Sequence, residues 1–491
     1  MILFASLIIS LAMGLLLVFI AWPCRKPLIT NLSLKLALAV GIGIGISSSL
    51  FFLWLVMSAY RFGFASFVIA ELLLCAALGA VLFGALKQEA QECLMLRRAE
   101  NQIFSNRVYY VLTAAFLCAT AFAISSFISK SACQPHGGWD AWAIWNMRAR
   151  FIFRGLAAWK DAFTNVISWT NPDYPLLLPG MIARSWAYMG KCQTLAPAAI
   201  ALVFTFATIG LLKSSLSLLR GREQGLLGAF ILLGTPSFIL HGASQYADVP
   251  LSFFILASIV ILYLNERLPG KNNGFLVLAG LITAFAAWTK NEGLFFLAAV
   301  IISRIFVTVP IIGIRGSLRQ MAAFLAGSSP ILLIIIYFKL FLAPPNKDIL
   351  AAQISGHWAE KLADPSRYYF IISGFTNEFF RLGFLFTGAV PVLLVYLFLA
   401  GISIRKEDRT AVLISILAVL IMLTGYCAIY LTSPYDLKWH IGTTLNRLVL
   451  QLWPTIIFIY FMMVSPPGEI IHPILEGKDE KKETRRTKNR R

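Results

Sequence analysis

Apolar residues run along this chain in long blocks separated by short polar connectors, with neither strict alternation nor one-sided helical stripes inside most blocks. A helix needs roughly 20 consecutive apolar residues to cross the hydrocarbon core of a bilayer. Blocks of that kind lie near 2–22, 34–58, 65–86, 108–128, 195–217, 225–240, 249–265, 274–289, 294–310, 321–343, 382–402, 411–431 and 447–464. The pattern predicts an all-α polytopic membrane protein of about thirteen transmembrane helices, with the segment 129–194 as a large outer loop containing interfacial amphipathic helices. The first block has no basic residue ahead of it and no small-residue cleavage motif before Trp22 and Pro23, so it reads as a retained helix.

Positive charge sets the expected orientation, because short basic loops stay cytoplasmic. Arg25, Lys26 and Lys35 fall on one side, with Arg97, Arg98 and Arg107, with Lys213, Arg220 and Arg222, with Arg315 and Arg319, and with Arg405, Lys406 and Arg409. The basic tail from Lys478 lands there too. The amino terminus is then outside and the carboxy terminus cytoplasmic, across a plasma (inner) membrane.

Composition agrees. The chain is 58% hydrophobic and 13% charged, where a soluble domain carries about 25% charged residues. The net charge of +19 is spread over loops and tail, which suits attraction to anionic lipid rather than binding of nucleic acid. The seven cysteines form no metal-binding spacing. Cys133 and Cys192 flank the outer segment, where a disulfide between them is open to test.

Three parts follow along the chain: a three-helix membrane extension with a charged connector (1–107), a larger membrane module (108–464) and a basic cytoplasmic tail (465–491). No internal repeat is evident. The segment 129–194 holds Trp139, Trp142, Trp145, Trp159, Trp169 and Trp186, the residue type favoured at headgroup level. On a helix from Asp140, Trp142, Trp145, Ala149, Ile152 and Phe153 share one side. Asn146, Arg150 and Arg154 form a polar stripe beside it.

The remaining ionisable residues gather on the expected outer face: Asp140, Asp173, Asp248, Lys290, Glu292, Asp348, His357, Glu360, Asp364, Glu378, Asp436, Lys438, His440 and Arg447. A carrier places such groups or broken helices near the midplane instead, so the pattern favours an enzyme. GGWDAW at 137–142 sets a lone acid among tryptophans. TNPDYPLLLPG at 170–180 makes a rigid approach through Asp173 and Tyr174, or simply a turn into the next helix. In QYADVPLSFF, Asp248 stands where a helix cap belongs. WTKNEG at 288–293 reads as a hairpin tip with Lys290 and Glu292 paired in water, or as a phosphate site. Arg447 falls near the start of the last expected span, where a lone cation opposes the helix dipole and a bound anion would offset it. His440 at this interface reads as structural.

Together these stretches resemble the glycosyltransferase C superfamily, and within it the family 39-type enzymes, which include protein O-mannosyltransferases and the lipid A aminoarabinose transferase. The matches are Asp140; Asp173-Tyr174-Pro175-Leu176; Asp248-Val249-Pro250; Lys290-Asn291-Glu292; and Arg447 with Pro454, across roughly 108–464. Many relatives carry two adjacent acids in the first outer loop, whereas Ala141 follows Asp140 here. The resemblance implies transfer of a sugar from a polyprenyl-phosphate donor to a hydroxyl of a lipid, glycan or protein acceptor at the outer face. It makes Asp140 the general base and Asp248 a second catalytic acid that orients the acceptor. Lys290 and Arg447 become donor-phosphate contacts, with Glu292, Asp173, Tyr174, His440 and Arg150 around the substrate. The resemblance settles no cofactor; a divalent cation, if one is used, falls to Asp140 and Asp248. Two rivals stay open: a polymerase or ligase of lipid-linked glycans, and a flippase or transporter of lipid-linked sugars.

Overall fold

The computed structural model describes residues 2–22, 31–58, 61–88, 106–267, 273–346, 358–383 and 388–467. Arg25, Lys26, Arg97, Arg98, Asp348, His357 and the tail from residue 468 lie outside the described residues. Those described are helical, with no strand among them: α1 (Ile2–Ala21), α2 (Leu32–Ser58), α3 (Gly63–Gln88), α4 (Asn106–Cys133), α5 (Asn146–Arg154), α6 (Leu177–Met189), α7 (Leu195–Leu219), α8 (Arg222–Leu233), α9 (Pro236–Ala243), α10 (Asp248–Arg267), α11 (Asn273–Thr289), α12 (Asn291–Phe341), α13 (Trp358–Ala363), α14 (Pro365–Arg381), α15 (Ala389–Ala400), α16 (Arg409–Thr432) and α17 (Leu437–Met463).

Among the described residues, nine helices are long and apolar enough to cross a membrane, or ten if the bent pair α8–α9 is one span. The difference from the expected thirteen has local causes. The blocks at 294–310 and 321–343 join in the 51-residue α12, whose helical geometry is interrupted at Gly313 with φ of 73°. This left-handed conformation suits a residue without a side chain. The block at 225–240 is broken at Gly234-Thr235 and bends by 64°. Blocks 274–289 and 382–402 appear as the shorter α11 and α15.

Helix α10 is the axis of the bundle. It is apolar all round and buried along its length, as expected of a helix with no solvent or lipid face, and it packs against α11, α17 and α7. At its carboxy-terminal end Arg267 grips both carboxylate oxygens of Asp408 through Nη2 and Nε, at 2.6 and 2.7 Å. Close to the end of α17, Arg220 donates Nη2 to the Ser403 and Val464 carbonyls. Those contacts close one end of the bundle and leave the amino terminus of α10 at the other.

The segment between α4 and α7 is built of short helices rather than loop, and part of it is core. Trp145, Trp159 and Trp186 are fully buried, while Trp139, Trp142 and Trp169 stay exposed. The expected amphipathic face fails at Trp142 because the chain over Ala141–Trp145 makes a wide π-type turn. The extra residue per turn rotates Trp142 out of the 3.6-residue register. Arg148, too, is buried, donating to the Thr170 and Asn171 carbonyls. Burial pulls its guanidinium down to about 10, so it stays charged near neutrality.

Helices α1 and α2 pack against α6, and α2 against α7. Glu71 of α3 is wholly buried and pairs with Arg184 of α6 at 2.8 and 2.9 Å, while Tyr188 donates to the same carboxylate at 2.5 Å. Cys133 and Cys192 are both free thiols.

Candidate functional site

The amino terminus of α10, the α11–α12 turn, the middle of α17 and the turn before α5 meet at one charge cluster. Asp248 is its hub. It is fully buried and opens α10 without making a capping bond, so the expected helix-cap role is replaced by side-chain pairing. One carboxylate oxygen accepts from Lys290 Nζ at 3.0 Å and Gln451 Nε2 at 2.6 Å, and the other from Arg447 Nε at 3.1 Å. Gln451 is held in turn by the Tyr426 hydroxyl at 2.7 Å.

Arg447 bridges the two acids that the sequence singled out. Its Nε faces Asp248 and its Nη2 donates to Asp140, and its guanidinium lies over the Tyr246 ring, 4.9 Å from the centroid. Helix α17 begins at Leu437, ten residues earlier than the expected start of the last span. Arg447 is therefore well inside the helix, and two carboxylates, not a terminal anion, balance its charge.

Lys290 sits in the tight turn between α11 and α12, and the turn is not in water as expected. Its side chain is 4% exposed, reaching Asp248 on one side and Glu292 at 2.7 Å on the other. Burial alone would lower its affinity for the proton, but Asp248 and then Glu292 overturn that and hold the ammonium above the ordinary lysine range. The second Glu292 oxygen, Oε2, is buried with no hydrogen-bond partner among the described residues. Such a group ordinarily finds a partner.

Asp140 is brought to Arg447 by the two glycines before it. Gly137 has φ of +77°, and a Cβ there would collide with Ala141 and the Ser244 carbonyl; a Cβ on Gly138 would meet the Tyr246 phenol. With both glycines, Gly138 N–H donates to Ser244 O at 2.9 Å, clamping the turn onto the loop before α10. Gln245, itself left-handed with φ of 59°, receives Asn146 Nδ2 at 2.8 Å and donates to the Pro135 carbonyl. Asp140 makes no capping bond to its own helical turn. Burial raises its carboxyl above the ordinary aspartate value; Arg447 opposes that shift and Asp248 adds to it.

Asp173 and Tyr174 join the rim. Asp173 accepts from Asn291 and Asn346, each at 2.8 Å, and Lys339 donates to its carbonyl at 2.6 Å and to Asn291 Oδ1 at 2.8 Å. Both ends of α12 are thus tied to one loop. Tyr174 stacks on Trp145 at 5.5 Å with 9° between the planes, and burial pushes its phenol up.

Two expected site residues are elsewhere. His440 bonds to the Ser433 hydroxyl at 2.8 Å and packs edge-on to Tyr430, while Arg150 pairs with His136 at 3.1 Å. Neither joins the cluster. Conversely, Gln451, Tyr426, Tyr246 and Lys339 belong to it or its rim. Only Gln451 carried a readable signal, as a polar residue one turn after Arg447 in an apolar helix.

For a divalent cation the residues do not fit. The Arg447 guanidinium fills the position between Asp140 and Asp248 that a shared metal would take, and no three metal-type ligands converge among the described residues. Comparison with family models, with curated proteins and with solved structures returned no match.

Proposed function

We propose that this cluster is the active centre of a membrane glycosyltransferase, moving a sugar from a polyprenyl-phosphate donor to an acceptor hydroxyl at the outer face. The observation that carries the reading is the Asp140–Arg447–Asp248 bridge: a base of raised pKa and a fixed cation at the same point. In this reading the chain crosses the plasma membrane thirteen times, with segment 129–194 outside and the tail inside.

The chemistry follows from the parts. Asp140 takes the proton of the acceptor hydroxyl, whose oxygen bonds to the anomeric carbon. The bond from that carbon to the phosphate oxygen breaks, and its electron pair stays on the phosphate. Arg447 faces the resulting negative charge, already oriented by Asp248 and Tyr246, so no reorganisation is needed during reaction. Lys290 and Gln451 hold Asp248 in place. The unfilled oxygen of Glu292 suits a sugar hydroxyl better than a phosphate, because like charges repel. The exposed apolar flanks of the helices supply a lipid-facing surface for the polyprenyl chain.

Purified protein given a radiolabelled sugar on a short polyprenyl phosphate, with mixed lipid, glycan and peptide acceptors, tests the reading. Label passing to an acceptor supports it. Label that crosses vesicles without leaving its lipid makes the protein a flippase instead.

A further inference from the structure

The ion pairs in the cluster differ in how firmly they are held. Asp248 is fully buried and has three side-chain donors. Asp140 has one, Arg447, among the described residues, and that pair is less completely enclosed, with side-chain exposures of 17% for the arginine and 9% for the aspartate. The guanidinium therefore has a fixed edge, its Nε on Asp248 with Tyr246 against its face, and an outer edge made of Nη1 and Nη2. Nη1 has no hydrogen-bond partner among the described residues, and Nη2 is occupied by Asp140.

A phosphate engages arginine best through two parallel N–H groups. With Nε held by Asp248, the Nη1–Nη2 edge of this guanidinium is the one left to offer two nitrogens, and Nη2 already donates to the base.

Resting on the glycosyltransferase reading above, we infer that Asp140 and the donor's phosphodiester compete for the outer edge of Arg447, so that the resting site is self-inhibited and donor binding releases the base. The phosphodiester takes Nη1 and Nη2, and Asp140 swings off while Arg447 stays anchored on Asp248. The turn bearing Asp140 permits this, since the carboxylate makes no bond to its own backbone. Freed of its cation and facing a new anion, Asp140 gains affinity for a proton at the moment an acceptor hydroxyl must give one up. Without donor, the carboxylate stays neutralised by Arg447 and does not activate water or acceptor. Donor then binds before acceptor.

The test uses the full-length protein in detergent and the methyl phosphodiester of farnesol, a single-charged mimic of the donor's lipid phosphate without its sugar. Binding is measured by calorimetry for wild type, Asp140→Asn and Asp140→Ala, with circular dichroism melts verifying that each variant is folded. Removing the competitor should tighten binding of the probe by about tenfold to a hundredfold in Asp140→Ala, the worth of one charge-assisted hydrogen bond, and by a smaller factor in Asp140→Asn, whose amide oxygen still accepts from Arg447 but without the charge. Equal or weaker binding by the folded variants overturns the competition while leaving the transferase reading intact. Absence of probe binding by wild type and both variants sinks the two together. Should Asp140→Ala unfold, the isosteric Asp140→Asn decides alone.

Discussion

Arg447 Nε donates to Asp248 at 3.1 Å across 199 positions of sequence, joining the first residue of the central helix to the middle of the last one. Each residue alone would be a buried or half-buried charge of high cost. Together, and with Lys290 and Gln451, they form a network in which every oxygen of Asp248 has a donor, while Asp140 has one donor and Glu292 Oε2 has none among the described residues. The consequences of breaking it differ from residue to residue.

Asp140→Asn keeps shape and hydrogen-bonding reach but cannot accept a proton. On the proposed mechanism its transfer rate falls by about 10² to 10⁴, the usual share of a positioned general base, with melting temperature near that of wild type. Steady-state transfer from labelled donor measures this. A variant turning over at the normal rate removes Asp140 from the chemistry.

The pH profile follows from the direction of the Asp140 shift. Burial raises the folded-state carboxyl above the unfolded value, so the native state binds the extra proton between the two values. That contribution favours the fold at low pH and is lost as pH rises through the folded pKa. Activity runs the other way: the acidic limb of kcat/KM should lie above the ordinary aspartate pKa of about 3.9, and Asp140→Asn should erase it. A wild-type limb at the ordinary value counts against the assignment.

Lys290→Met removes a buried cation between two carboxylates. Breaking a buried pair by deleting one partner costs about 3 to 5 kcal/mol, so a marked drop in melting temperature is expected along with lost activity. The additional change Asp248→Asn should recover part of the stability and none of the turnover. A Lys290→Met protein as stable as wild type would mean the ammonium is hydrated rather than enclosed.

Glu71→Gln leaves Arg184 buried without its counter-charge, and a loss of about 3 kcal/mol is expected. Pairing it with Arg184→Met removes both charges and should restore most of that loss, with transfer per folded molecule unchanged. Chemical denaturation of the three proteins reads the cycle. If the double variant is no better than Glu71→Gln, the pair is not the source of the effect.

Orientation can be read with cysteines in a cysteine-free background. Ser168 is exposed in the segment after α5, and a thiol there should react with an impermeant reagent added to intact cells. One at Asn272, outside the described residues, should react only after lysis. The reverse pattern would invert the proposed sidedness and move the site to the cytoplasm.

The sequence by itself determined that the described chain is helical and apolar enough to lie in a membrane, because apolar runs of bilayer length are a local property. It also picked out Asp140, Asp248, Lys290 and Arg447, since isolated charges in so apolar a chain are costly wherever they fall. It did not determine where α17 begins: Asp436 caps Trp439 N–H, adding three turns that hydropathy alone leaves out. Nor did it show the π-type turn that takes Trp142 off its face, or the break at Gly313, which are matters of one residue's backbone geometry. Only the tertiary structure decided that Lys290 is enclosed, that Arg447 lies between two acids rather than at a helix end, and that Gln451 belongs with them while His440 and Arg150 do not. Periodicity assigns a side chain to a face of its own helix. Which charge it meets there depends on how separate helices are packed, and partners 199 positions apart leave no local trace of having met.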